Sequence, residues 1–287
     1  MRFRPFKTAG KAGLAIEVDG GAINLAEVDG ILPRDLDTVI AKGASVMEEI
    51  TAKLARHKGA PRPLSDFTPR FPLAKPGNIF CVGLNYAGHA KEGGHEIPTY
   101  PGLFMRTPES MAAAEEKIVR PRESEKFDYE AELMIVVGKG GRRIKEADAL
   151  EHVFGYTLFN DMSVRDYQRK GAQWLPGKNF DGTGPVGPVV VTADELPKGA
   201  SGLRITSRIN GKTLQDSNTA DFIFPVAKCI ALISEFATLK PGDLIATGTP
   251  EGVGYPRKPP VFMRPGDVVE VEIEKIGVLR NQIVADG

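Results

Sequence analysis

Seven short runs of aliphatic and β-branched residues, spread from residue 79 onward, constrain the fold of this chain more than any other feature. IFCVGL, AELMIVVG, PVVVTA, LRITSRI, LIATG, VVEVEIE and VLRNQIV are each of strand length and are separated by turn residues. VVEVEIE sets Val269, Val271 and Ile273 against Glu270, Glu272 and Glu274, the pattern of one dry and one wet face. RINGKTL carries Asn210 and Gly211, a two-residue hairpin signal. KPGN, KPGD and RPGD each precede a strand, and Pro then Gly suits the middle of a type II turn. Two helical segments interrupt, one near SVRDYQRKG and one at FPVAKCIALISEFATL, where Pro225 suits a first turn. The predicted class is α+β and strand-rich.

Upstream, LAIEV, DGG and AINLAEV read as two strands and a turn. A helix follows in SVMEEITAKLARHKG, with Met47, Ile50 and Leu54 three and four apart and Gly59 closing it. The next stretch, APRPLSDFTPRFPLAKPG, holds five prolines and no periodicity, as a linker or an extended wrap does. A boundary near Phe71 divides a small N-terminal α/β domain, residues 1–70, from a larger one, residues 71–287. A chain of 287 residues is long enough for both.

Charge narrows the function. Lysine plus arginine equal aspartate plus glutamate, 37 against 37, so no bulk charge attracts nucleic acid or an anionic membrane. The two cysteines, Cys81 and Cys229, lie in apolar runs without a CxxC spacing and read as small buried hydrophobes. No apolar run has the length of a membrane span, and MRFRPFKTAGKAG lacks the apolar core of a signal peptide. A soluble cytoplasmic protein is the expectation. GTGPVG, at 182–187, matches the dinucleotide pattern GxGxxG, but Pro185 and Pro188 deny it the helix that pattern must open.

Glu130 and Glu132, in FDYEAELMIVVG, are two apart and face the same way on a strand. Such a pair fits either a solvated strand face or a counter-charge such as a metal ion, and the buried character of LMIVV leans toward the second. Asp161, in GYTLFNDMSVRDYQ, follows a strand-like stretch and reads as a third carboxylate or as a helix N-cap. Three carboxylates at strand ends suit a hard cation such as magnesium. In NYAGHAKE, His89 and Glu92 sit three apart. They are helical neighbours that serve equally as a surface pair or as a base with its orienting carboxylate. Lys178 lies in the loop LPGKNFDG, and TGTPEGVG, 247–254, is either an anion-binding turn or a glycine-rich connection.

The ordered set NYAGHAKE, FDYEAELMIVVG, FNDMSVRDYQ, GKNFDG, NGKTLQDSNTADFIFPV and TGTPEGVG resembles the fumarylacetoacetate hydrolase family, from about Pro72 to the C-terminal end. The resemblance implies that family's mixed β-roll with a small N-terminal domain, a homodimer, and bound Mg²⁺ or Mn²⁺. Glu130, Glu132 and Asp161 match the metal ligands, and His89 and Glu92 the water-activating pair. Arg165, Gln168, Lys178 and Thr249 match positions that hold the substrate's carboxylate and oxo group. Where members commonly read FxKP this chain has FMRTP, placing Arg106 at a substrate-binding lysine position, a departure expected to alter the distal half of the substrate. The implied activity is hydrolysis of a C–C bond in acylpyruvates such as fumarylpyruvate, within aromatic catabolism, through a metal-stabilised pyruvate enolate. Decarboxylation of oxaloacetate or isomerisation of a 2-hydroxymuconate-type acid uses the same enolate, and a non-catalytic metal-binding protein is the third reading.

Overall fold

In the computed structural model of the chain, which describes residues 1–8 and 11–287, AELMIVV forms the strand Ala131–Val137 with every residue buried. It is dry on both faces because it lies at the middle of the larger sheet. Leu133, Ile135 and Val137 face one apolar cluster, and Met134 and Val136 face another. Val153–Asn160 pairs antiparallel on one flank and Leu244–Ala246 on the other, with Ile79–Gly83 parallel beyond it and Gly102–Arg106 at the edge. On the far side, Val190–Thr192 carries the sheet on to Arg2–Thr8, Lys11–Val18 and Gly21–Asn24.

The first residues therefore share a sheet with the rest: Phe3 stands opposite Val190. They share a core too, since Phe3, Leu14, Leu36 and Ile50 pack in the cluster that holds Met134 and Phe159. The proline-rich stretch before Phe71 runs between parts joined by this common core. Leu36–Lys42 and Ala44–Leu54, split at Gly43, cover this face of the sheet. The second of them ends at Leu54, short of the expected stop at Gly59, and Val46 and Ile50 are its buried residues.

The opposite face is covered by Val226–Phe236, whose buried Val226, Cys229, Ile230 and Ile233 follow helical spacing, and by a five-stranded sheet. In that sheet Asn210 and Gly211 both take positive φ, 50° and 78°, and turn Arg204–Ile209 into Lys212–Asn218 as the sequence predicts. Val269, Val271 and Ile273 are buried, while Glu270 and Glu272 reach Arg208 at 3.1 and 2.6 Å on the other side. GTGPVG contributes the strand Gly184–Val186 and opens no helix, in keeping with its rejection as a dinucleotide loop.

The three Pro-Gly turns are not alike. Gly242 and Gly266 have φ of 85° and 99°, and Asp243 and Asp267 close their turns on Lys240 and Arg264, both at 3.0 Å. Gly77 has no such φ. A Cβ there would stand 2.1 Å from the Asp243 carboxylate, which takes the Asn78 N–H instead, so close approach requires this glycine.

Candidate active site

Register brings the carboxylates together. Ala131 stands opposite Asn160, so the start of one strand and the end of its neighbour meet at the same edge of the sheet. Glu130 precedes the first strand, Asp161 follows the second, and the Asp161 N–H donates to the Glu130 carbonyl at 3.0 Å. The Asn160 side chain accepts from the Glu130 N–H at 2.9 Å and fixes the corner. Glu130, Glu132 and Asp161 are all buried, and each offers an oxygen within 4.8 Å of the other two.

Their surroundings differ. Burial alone would raise the Glu130 pKa, but Lys178 and Arg165, at 2.6 and 2.8 Å, outweigh it and hold the carboxyl at about 2. Asp161 is bracketed by Arg106 at 2.5 Å and Lys178 at 2.8 Å. Glu132 accepts one hydrogen bond, from the Gly248 N–H at 2.9 Å, and has no cationic partner among the described residues. Burial, then Asp161 and Glu130, push its pKa well above the ordinary carboxylate value. Gly248 can approach because it is glycine: its φ is 94°, and a Cβ would meet the Val82 carbonyl at 2.7 Å.

These residues fit a divalent cation. All three donors are hard oxygens. With all of them within 4.8 Å of one another, a single ion can be reached by one oxygen from each. Glu132, buried without a counter-charge, is where added positive charge is most favourable.

Beyond the carboxylates lies a cavity of about 570 Å³. His89, Glu92, Arg165, Gln168, Lys178 and Thr249 line it together with Glu130, Glu132 and Asp161. Asn85 positions the first two: its side chain donates to the carbonyls of Phe224 and Thr247 and accepts the Phe224 N–H, anchoring the entry to Ala87–Glu92. Glu92 binds the His89 ring at Nδ1, 2.8 Å away, and its other oxygen accepts from the Gly252 N–H at 2.8 Å. An ionised Glu92 accepts from Nδ1–H and leaves the Nε2 lone pair free. Lys178 keeps its charge: burial alone lowers its pKa, but Asp161 and Glu130 raise it above the ordinary value.

Arg106, expected to touch substrate, is placed elsewhere. It does not line the cavity; its side chain is wholly buried behind Asp161, with Ser110 and Thr183 accepting from the same guanidinium. Gly184 leaves room for that flat group, since a Cβ there would lie 2.9 Å from it. The departure from lysine therefore bears on the support of Asp161.

Three supporting residues escaped the sequence reading. Asp128 sits inside the quoted FDYEAEL run and accepts from Arg165 Nε, Gly254 N and Tyr255 N at 2.8, 2.8 and 2.9 Å. Gln215, inside NGKTLQDSN, donates to the Thr249 hydroxyl at 2.8 Å and accepts from the Ala131 N–H. Asn85 lies in NYAGHAKE. No spacing rule marks a buried amide that holds distant backbone, although all three lie in motifs already singled out. Arg165 Nη2 is buried without a partner, a donor the fold leaves unsatisfied.

Comparison with known proteins finds matches along most of the chain. Residues 78–284 match the family model for the fumarylacetoacetate (FAA) hydrolase C-terminal domain. The chain is 40% identical over 291 residues to oxaloacetate tautomerase FAHD2A, mitochondrial, of Homo sapiens, covering 99% of this chain and 91% of that protein. Among solved structures it resembles fumarylacetoacetate hydrolase from psychrophilic Exiguobacterium antarcticum, at 34% identity and TM-score 0.86 with both chains covered in full. Maleylpyruvate hydrolase from Sphingobium sp. SYK-6, in complex with manganese(II) and pyruvate, matches at 27% identity and TM-score 0.83, again over both full chains. No described helix is long and apolar enough to cross a membrane.

Proposed function

The chain belongs to the fumarylacetoacetate hydrolase family and is an enzyme, and from that premise we propose that it catalyses keto–enol tautomerisation of a 2-oxo dicarboxylic acid, with oxaloacetate as the leading substrate. The observation that carries this reading is one cavity holding both a carboxylate trio and a histidine whose Nε2 is free. Enolisation needs a base for the C3 proton, positive charge at the oxygen and a proton returned to that oxygen, and it consumes no water.

Glu130, Glu132 and Asp161 would hold Mg²⁺ or Mn²⁺, which supplies Lewis acidity toward the substrate's carboxylate and 2-oxo oxygens. His89 removes a proton from C3 with Nε2, and Glu92 stabilises the imidazolium through Nδ1–H. Arg165 and Gln168, which line the cavity side by side with Nη1 donating to the Gln168 side-chain carbonyl at 3.0 Å, bind the C1 carboxylate. Lys178 faces the oxygen that gains charge and offers the N–H not spent on Glu130 and Asp161. Return of the proton to that oxygen, or to C3, completes either direction.

The sequence reading put C–C hydrolysis of acylpyruvates first. Similarity over nearly the full length to an oxaloacetate tautomerase moves proton transfer ahead of bond cleavage. Hydrolysis stays the second reading because the cavity is larger than a four-carbon acid needs and the maleylpyruvate hydrolase shares the fold. A cytoplasmic homodimer in aromatic catabolism accompanies that second reading; the human relative is named as mitochondrial.

The test is a panel: enol-oxaloacetate followed by loss of its ultraviolet absorbance, and acylpyruvates followed by release of pyruvate, each with Mg²⁺ or Mn²⁺ and with chelator. Metal-dependent ketonisation faster than any cleavage supports the proposal. Cleavage without catalysed ketonisation replaces it with the hydrolase.

A further inference from the structure

We infer that Arg169, braced on Tyr255 at the mouth of the cavity, binds the second carboxylate of the substrate and so selects dicarboxylic over monocarboxylic 2-oxo acids. This rests on the reading of the cavity as a 2-oxo acid site and adds the residue that sets its specificity.

The floor of the cavity has no cation to spare. Arg165 is divided between Asp128 and Glu130, Lys178 between Glu130 and Asp161, and Arg106 is spent on Asp161. Those three cations face four carboxylates, Glu132 included. A bound divalent ion leaves the floor with a single net positive charge, enough for one carboxylate. A substrate with two needs another partner.

Among the described residues lining the cavity, Arg169 is the one arginine or lysine without a carboxylate partner. Its guanidinium lies 4.2 Å from the centre of the Tyr255 ring, and Nη1 donates to the Tyr255 hydroxyl at 2.9 Å. Its other N–H groups have no protein acceptor among the described residues. The stacking spares entropy that a free surface arginine would lose on binding, while the open edge keeps a fork suited to a carboxylate.

The brace is itself anchored. The Tyr255 N–H donates to Asp128 Oδ2 at 2.9 Å, the oxygen that also accepts from Arg165 Nε at 2.8 Å. One buried carboxylate thus sets the position of the arginine at the metal end and of the tyrosine that carries the arginine at the mouth. Gly254 makes this possible, because a Cβ there would lie 2.6 Å from Asp128 Oδ1 and 1.7 Å from the Val261 carbonyl. A second carboxylate held between fixed points is read by distance as well as by charge.

The experiment compares oxaloacetate with its 4-methyl ester, which keeps the carbon frame and neutralises the distal charge, in wild type and Arg169→Gln with Mg²⁺ present. Arg169 is exposed, so the variant folds. For oxaloacetate, KM should rise about tenfold with kcat within about twofold, the loss of one partly solvated charged hydrogen bond. For the ester, KM and kcat should both stay within about twofold. Trp174, the single tryptophan, lines the cavity, and its fluorescence gives affinities for both compounds whether or not they turn over. If wild type turns over neither compound, the tautomerase reading fails. The titration then still decides: weaker binding of the diacid alone in Arg169→Gln upholds the inference. Equal loss for diacid and ester, or no loss for either, overturns it.

Discussion

Replacing Glu132 with glutamine tests the electrostatic logic of the site most sharply, because among the three clustered carboxylates Glu132 is the one that no salt bridge reaches. In the metal-free protein burial and its acidic neighbours raise its pKa above the ordinary 4.5, so the fold favours its neutral form. That stabilisation is full below the unfolded value and is lost as pH rises through the folded one. Glu130, held at about 2, has finished titrating below this window, and Lys178, raised above 10.5, titrates beyond it. Metal-free wild type should therefore lose stability as pH rises from 4.5 to about 8, below the range in which the buried Cys81, Cys229 and tyrosines add their own loss, and Glu132→Gln should remove that slope. Divalent metal replaces the missing counter-charge. At a hundredfold excess over Kd it should stabilise wild type by about 2.7 kcal/mol, or about 5 °C in Tm for a chain of this length. With one of three ligands neutralised, Glu132→Gln should gain less than about 1 °C at the same metal concentration. Thermal melts with and without Mg²⁺ across pH read both effects. An equal metal-induced shift in the variant, or a metal-free pH slope that survives the substitution, refutes the reasoning.

Arg106→Met leaves Asp161 buried with Lys178 alone and should cost about 3–5 kcal/mol in urea unfolding. Arg106→Lys keeps the charge but not the fork to Ser110 and Thr183, and should cost about 1–2 kcal/mol. Asp128→Asn loosens Arg165 and Tyr255 together and should raise KM for oxaloacetate about tenfold or more, read by initial rates; unchanged KM would detach Asp128 from substrate binding. The exposed stretch 93–97, which contributes Gly93 and His95 to the cavity wall, should gain amide-exchange protection with Mg²⁺ and oxalate, and equal protection in both states would count against closure.

Where local pattern decides structure, the sequence was legible. Alternating Val269, Val271 and Ile273, the Asn210–Gly211 turn and the face of Val226–Phe236 all depend on neighbours a few residues away. Carboxylates meeting at strand ends were also readable, because Glu130, Glu132 and Asp161 sit at boundaries the pattern marks. What the sequence hid depends on contacts across the chain. Nothing in FMRTP says that Arg106 turns inward to Asp161, 55 residues on, rather than outward to a substrate. Nothing near the N-terminal end says that Phe3 will stand opposite Val190. Pairings of that range are settled by the whole core, and no local period records them.

The central claim is that His89 moves a proton at C3 of a 2-oxo acid, and the direct measurement is ketonisation of enol-oxaloacetate by His89→Ala with Mg²⁺ bound. The account predicts a fall of about two to four orders of magnitude, the range of a single general base, with an unchanged metal-induced Tm shift because His89 is no ligand. Ketonisation at the wild-type rate, with metal bound in both proteins, would contradict it.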